Sequence, residues 1–451
     1  MAIKINANYI QLLLVIILAI IIGYFVSTNI FVSLLPLACL LAILLLISNV
    51  ARLAFLVFGS IFVLQSSSNW TPIKTVFLIG IILISLVSLL KVTDKIFKNI
   101  YKDLKPVIIS SIILNIYIIL SIVLSIYVWK VSPIVAVREA YPYLIFSFVP
   151  ILAIDFSDNI NKRPLYLIFY SSGILSSSIF CLSWLSKRDY INVSTEEIGL
   201  ASMLLPLAFF SYSCSRVLYG KKNKVMWLMI SAFVLSSLLV TGTRTSIIAL
   251  IMPFFVAVIR KDNRLKRIVQ LITFYILLIT LIIVGVLVIS KLTQSKLDII
   301  TERFLNLKDM FITGGLTEDQ SYNGRYEQTL IAIQAIKFSP FLGAGLGTGF
   351  YQVTNYVGSM DSPLASVAKL GIIGLVLLVT PIVNIGILLL KEYKRKKIDY
   401  DCLSLFGYLV IIFLYSLILP PYEEKGFGIG LLLLLTLFFG NRYSTFKDDK
   451  G

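Results

Sequence analysis

The chain has 451 residues, 58% apolar and only 14% charged. A soluble chain of this size carries about 25% charged residues, so a soluble globular protein is excluded and a polytopic, all-α integral membrane protein is expected. The net charge of +17 sits in clusters at alternate ends of apolar segments, as membrane topology demands, which argues against nucleic acid as a partner. There is no histidine, and Cys39, Cys181, Cys214 and Cys402 lie far apart in or beside apolar segments. Zinc chemistry and histidine general-base chemistry are excluded, and no metal or cofactor is expected.

In chain order, apolar segments at 9–26, 30–47, 50–64, 75–90, 107–129, 137–154, 165–185, 198–218, 225–240, 246–259 and 268–290 read as spans. The first is too long for a signal-peptide core and reads as a retained span. After a long polar interruption, 291–363, come three more at 364–390, 402–420 and 427–440. Several are shorter than the ~20 residues a span usually needs, and the third and the last are the weakest, so 12–14 transmembrane helices are expected. The chain divides into an N-terminal membrane bundle (1–290), a large outer loop (291–363) and a C-terminal bundle (364–451). With the N-terminus inside, most of the 40 lysines and arginines fall in inner segments. Both termini are then cytoplasmic and the long loop is outside.

Within the loop, Gly324 opens a helix-like stretch. Leu330, Ile331, Ile333 and Ile336 alternate there with Glu327, Gln328, Gln334 and Lys337, fitting a short amphipathic helix on the membrane or over the bundle. Ser339-Pro340 ends it.

Arg244 stands in the turn Thr241-Gly-Thr-Arg-Thr between two spans of 16 and 14 residues. These reach roughly 24 and 21 Å against an apolar core of about 30 Å, so the turn is expected to dip below the outer surface. An arginine there must face protein, water or an anion, or snorkel to headgroups. Arg325 begins the amphipathic stretch and offers a planar fork suited to phosphate; it equally suits a pair with Glu327. Gly343, Gly345, Gly347 and Gly349 let the backbone approach a ligand closely, as in an amide nest, or form a tightly packed turn. Asp361 at the loop exit is placed to act as a base or to cap the next helix with Ser362 and Pro363. Glu196 and Glu197 share that ambiguity at the outer start of the eighth span. Arg138 and Glu139, at the outer start of the sixth, are placed to pair. Few charges fall inside the spans, which counts against an ion-coupled transporter; Asn115 and Asn384 are their notable polar residues.

Four segments together resemble the O-antigen polymerase and ligase superfamily, the Wzy-like membrane glycosyltransferases. They are the turn at Thr241–Thr245, Gly324-Arg325 with the helix that follows, Ser339-Pro-Phe-Leu-Gly-Ala-Gly-Leu-Gly, and Asp361 through Lys369-Leu-Gly-Ile-Ile-Gly374. They span about residues 226–390, and their order and spacing carry the likeness. Ligases of the group have a histidine near the loop exit, where this chain has Asp361-Ser362, so the resemblance points to polymerase. It implies a GT-C-like fold in the bacterial plasma membrane. The implied substrate is an undecaprenyl-diphosphate-linked oligosaccharide, transferred on the outer face without metal or nucleotide sugar. Membrane lipid, a chain-length regulator and a flippase are the implied partners. Arg244 and Arg325 would meet the diphosphate, with Arg138 as a third cation. Gly343 and Gly345 would approach the substrate, and Asp361, Glu196 or Glu197 would orient or deprotonate the acceptor. The alternative from another class is a lipid-linked oligosaccharide flippase or other multi-span transporter.

Overall fold

The computed structural model describes residues 45, 48–63, 72–97, 102–186, 203–220, 222–240, 248–259, 264–293, 320–347, 362–395 and 399–443. These contain α-helices and short 3-10 turns and no strand. In chain order the helices are α1 (Asn49–Val63), α2 (Pro72–Phe97), α3 (Lys105–Tyr127), α4 (Pro133–Asn159), α5 (Lys162–Ser186), α6 (Leu204–Tyr219), α7 (Lys224–Val240), α8 (Ile248–Ile259), α9 (Arg264–Thr293), α10 (Gln320–Phe338), α11 (Ala365–Lys394), α12 (Tyr400–Ser416) and α13 (Lys425–Tyr443). The expected spans from 50–64 onward each coincide with a helix. The expected spans at 9–26 and 30–47 lie outside the described residues.

Among the described residues five helices are long and apolar enough to cross a membrane: α2, α3, α4, α5 and α11. In lipid a backbone can satisfy its amides only within its own helix, so these leucine-, isoleucine- and valine-rich runs have no other regular conformation open to them. The chain is a membrane-embedded helical protein.

The arrangement is centred on α4. Its apolar window is 89% buried, whereas those of the other four are less than half buried and present their remaining faces outward. α13 packs along α4, which also contacts α3 and α2, while α6 joins α7, α12 and α13. Pro142 and Pro150 sit inside α4, where flanking helices surround the interrupted ladder. Small residues set the close approaches: a Cβ on Gly173 would lie 2.2 Å from the Phe209 ring, and one on Gly430 would lie 2.7 Å from the Tyr408 hydroxyl. The polar residues expected inside the spans tie helices together. Ser147 donates to Asn115 Oδ1 at 2.7 Å, joining α3 and α4, and Asn384 on α11 donates to Pro106 O and Ser110 Oγ on α3, each at 3.2 Å.

Charge separates the two ends of the bundle. At the basic end, Lys391 and Arg395 pair with Asp103, and Arg442 pairs with Glu392. At that end too, Arg52 and Asp155 form a fully buried pair at 3.1 Å, and Ser88 donates to the same carboxylate oxygen at 2.7 Å. The opposite end, where α3 finishes and α4, α11 and α13 begin, carries α10 and the glycine run and is here termed the loop end.

The interior is less free of charge than the sequence suggested. Arg52 and Lys369 lie within apolar segments and Asp155 and Asp401 just beyond them, and all four fold in against neighbouring elements. Arg52, Asp155, Lys369 and Asp401 are each 3% exposed or less.

Candidate functional site

The site at the loop end is built on a break in α11. Gly371 has φ +71° and ψ −178°, outside the helical range, so a short helix from Ala365 meets the long helix at an interruption. The break frees the carbonyls of residues 368–370 and the amides just after it. The segment that follows α10 satisfies them. Ala344 N–H donates to Ala368 O at 2.8 Å and Gly345 N–H to Lys369 O at 3.1 Å. In return Ile372 N–H donates to Pro340 O at 2.9 Å and Ile373 N–H to Phe341 O at 3.3 Å. The Tyr117 hydroxyl on α3 donates to Leu370 O at 2.5 Å. Irregular backbone at membrane depth is tolerated where protein meets its polar groups in this way.

The glycines are there because the two segments run backbone against backbone. A Cβ on Gly343 would lie 2.3 Å from Lys369 O, and one on Gly371 would lie 2.1 Å from Phe341 O. Both have positive φ, at +78° and +71°, as only glycine adopts freely. The amides of Gly343 and Gly345 are committed to Ser339 O and Lys369 O. Their geometry is therefore that of the packed turn, the second of the two readings the sequence left open, and Leu346 N–H completes it by donating to Ser125 Oγ at 2.7 Å.

α10 lies over this junction on part of the face its sequence suggests. Ile331 and Ile336 of the expected apolar face pack against it, whereas Leu330 is 43% exposed. Between them runs a seam of small residues, Ala332 and Ala335 against Ala344, Ala365 and Ala368. Small side chains let α10 sit close to α11, a packing preference that a hydrophobic pattern does not register. The Thr329 hydroxyl lies 3.1 Å from Ser362 Oγ, tying α10 to the entry of α11. Arg325 is half-buried on α10, and its carbonyl accepts from Thr329 Oγ1 at 2.8 Å.

Lys369, whose carbonyl accepts from Gly345 N–H, turns its side chain into the bundle. Its side chain is 4% exposed, and its ammonium lies 2.9 Å from Glu139 Oε2 on α4 and 2.7 Å from Glu423 Oε2. Glu423 belongs to the 3-10 turn Pro421–Glu423 between α12 and α13. The buried Tyr143 hydroxyl donates to Glu423 Oε1 at 2.9 Å and lies 3.2 Å from Ser366 Oγ. Arg138 reaches Glu139 Oε1 at 3.5 Å, so the pair expected from sequence forms, though loosely. Lys74, buried at the start of α2, stands within electrostatic reach of Arg138. Burial pushes the Glu423 carboxyl above its ordinary range, an effect that Lys369 partly offsets.

Two helices and a turn thus bring Arg138, Glu139, Lys369 and Glu423 together under the glycine junction. Such a cluster can hold an anionic group against its cations or accept a proton from a hydroxyl. Of the residues singled out from sequence, Arg138 belongs to this cluster, Gly343 and Gly345 lie in the junction beside it, and Arg325 lies on the helix above it. Arg244, Asp361, Glu196 and Glu197 lie outside the described residues. The helices on either side of the Arg244 turn, α7 and α8, have 17 and 12 residues. They reach roughly 26 and 18 Å, short of an apolar core of about 30 Å.

Sequence reasoning passed over the role of Lys369 and Glu423. Each had a signal: Lys369 is a lone lysine inside an apolar run, and Glu423-Glu424 is an acidic pair in a short gap between two apolar segments. Among the described residues no group of histidine, cysteine and carboxylate side chains has the arrangement of a metal site. No known family model matches the chain, and no curated protein matches it.

Proposed function

We propose that the protein is a polysaccharide polymerase. In this reading it joins undecaprenyl-diphosphate-linked repeat units on the outer face of the bacterial plasma membrane by a GT-C-like, metal-independent glycosyl transfer. The observation that carries the reading is the ordered set of motifs from the Arg244 turn through Arg325, the proline–glycine run and the entry of α11. Its physical support is a set of cations at the loop end of the bundle. Arg138, Lys74 and Lys369 stand at the loop end, with Arg325 on the helix above. With the basic end in the cytoplasm, as the positive-inside rule directs, the loop end faces outward and both termini face inward.

The reaction turns a lipid diphosphate into a leaving group. Charge grows on its bridging oxygen as the sugar–phosphate bond breaks, and a guanidinium held at that depth stabilises the transition state more than the ground state. One pair at ~4 Å and an effective dielectric near 20 gives about 4 kcal/mol, which sets an upper bound of roughly three decades of rate. Arg244 and Arg325 take the diphosphate, with Arg138 as the third cation.

Two observations favour a second reading, a lipid-linked oligosaccharide flippase or other transporter. A helix broken at Gly371 and a buried cluster of opposite charges are devices that coupled transporters use. One experiment separates the two. The purified protein in liposomes receives a defined lipid-linked repeat unit. Longer lipid-linked glycans support the polymerase. Movement of unextended repeats between leaflets, with no extension, would replace it with the transporter.

A further inference from the structure

Glycosyl transfer to a sugar hydroxyl needs a group that takes the hydroxyl proton, and the geometry points to Glu139 as that base, with Lys369 as its positioning residue. The assignment rests on the polymerase reading above and differs from the carboxylates that the sequence offers for the role, Asp361, Glu196 and Glu197.

Both carboxylates held by Lys369 are candidates, and their partners distinguish them. Glu423 has each oxygen engaged at short range, Oε2 by Lys369 at 2.7 Å and Oε1 by the Tyr143 hydroxyl at 2.9 Å. Glu139 has only Oε2 engaged at short range, by Lys369 at 2.9 Å; Arg138 reaches Oε1 at 3.5 Å, the outer limit of a hydrogen bond. That leaves lone-pair capacity on Glu139 Oε1 for a hydroxyl donor. Exposure follows the same direction. Lys369 is 4% exposed, Glu139 19% and Arg138 35%, so the cluster opens on the side where Arg138 and Glu139 stand next to each other.

That adjacency suits the chemistry. A cation for the leaving diphosphate and a base for the attacking hydroxyl would sit on consecutive residues of α4. In the step, a lone pair of the acceptor hydroxyl oxygen forms the bond to the donor's anomeric carbon. The bond from that carbon to the diphosphate oxygen breaks, and its electron pair leaves on the lipid diphosphate. The hydroxyl proton passes to Glu139 Oε1 and from there to water. As the new bond forms, the proton becomes far more acidic than that of a free alcohol, so an ionised carboxylate is base enough. Lys369 holds the carboxylate in place, and Glu423, Tyr143 and Ser366 in turn hold Lys369.

The test uses the full-length purified protein with a defined lipid-linked repeat unit. Glu139→Gln is expected to lower the polymerisation rate by about 100- to 10,000-fold, the usual contribution of a general base, and formate is expected to restore part of the activity of Glu139→Ala. Glu139→Asp keeps the charge that Lys369 needs for folding but withdraws the carboxylate by one methylene, and should lose tenfold or more. Lys369→Arg should recover activity that Lys369→Met loses, whereas formate should not. Glu139→Gln or Glu139→Asp within a few-fold of wild type, or no response of Glu139→Ala to formate, would overturn the assignment while leaving the polymerase reading intact. A wild-type protein that extends no repeat unit would overturn both.

Discussion

Lys369, in the first turns of α11, and Glu423, in the turn before α13, meet at 2.7 Å across 54 residues of sequence. The contact joins α11 to a turn that packs on α4, and Glu139 on α4 completes the set at the same ammonium. An ammonium buried to this degree persists only because two carboxylates face it, and they persist because it faces them.

Removing the cation alone should therefore be costly. Lys369→Met leaves two carboxylates to share a buried site, and a loss of about 3–5 kcal/mol is expected for breaking a buried ionic set on one side. The triple variant Lys369→Met/Glu139→Gln/Glu423→Gln, which removes every charge, should recover most of that stability without recovering activity. Thermal unfolding in detergent measures both. Equal stability of Lys369→Met and wild type would mean that water reaches the site.

The junction of α11 with the glycine run depends on backbone geometry. Gly371→Ala places a Cβ 2.1 Å from Phe341 O at a φ of +71°. A backbone at φ +71° and ψ −178° is one essentially only glycine adopts and costs an L-residue about 1–3 kcal/mol, so residues 340–345 should detach from α11. Hydrogen exchange at the Ala344 and Gly345 amides should then accelerate while the amides of α13 stay protected. Unchanged exchange at Ala344 would show that the pairing does not need the glycine.

How much of this was legible in the sequence depends on the range of each interaction. α1 through α9 and α11 through α13 follow from apolar runs, because a membrane span is specified locally by length and hydropathy. The end of α10 follows from Ser339-Pro340 in the same way. Its packed face followed in part: Ile331 and Ile336 pack as their pattern suggests, whereas Ala332 and Ala335 carry little hydrophobic signal and matter only for how closely α11 approaches. The glycine run announced a close approach, but not what it approached, since the partner is the backbone of Lys369 some 25 residues on. The cluster was half visible. Arg138 and Glu139 are neighbours and read as a pair, whereas Glu423 joins them only through the packing of α13 on α4.

The raised carboxyl of Glu423 gives the fold a pH dependence of known sign. The folded state holds that proton more tightly than the unfolded chain, whose carboxyl has the ordinary value of 4.5. Glu423 therefore contributes a destabilisation that is full above its folded pKa and is relieved as pH falls through that value towards 4.5. Burial is its main cause; Glu139 adds to it, and Lys369 and Tyr143 offset it. Glu423→Gln should flatten this component of the stability curve above pH 4.5. An identical slope in wild type and Glu423→Gln, measured by thermal unfolding across that range, would exclude it.

At the basic end the Arg52–Asp155 pair poses the same question without catalysis attached. Its side chains are 1% and 0% exposed, and Ser88 adds a third helix to the contact. Asp155→Asn removes the charge opposite a buried guanidinium, and a loss of about 3–5 kcal/mol is expected. Arg52→Met/Asp155→Leu should cost far less than the sum of the single changes, because both desolvation penalties vanish together. A double-mutant cycle by thermal unfolding reads the coupling. Additive single losses would show that the two charges act independently.

The arginines of the proposed reaction make the sharpest functional prediction. Arg244→Lys keeps a positive charge but loses the planar fork that grips two phosphate oxygens at once. If the interaction is realised in the transition state, polymer should fall on the order of 100- to 1,000-fold, and in cells single lipid-linked repeats should accumulate on the outer leaflet. Arg325→Lys should behave in the same direction. Accumulation on the inner leaflet would indicate a defect in transport rather than in polymerisation, because repeats that have not crossed cannot be joined outside. Normal polymer from Arg244→Ala at normal expression would remove Arg244 from the site. The diphosphate would then fall to Arg325 and Arg138, and Arg138→Ala should in that case abolish what Arg244→Ala left intact.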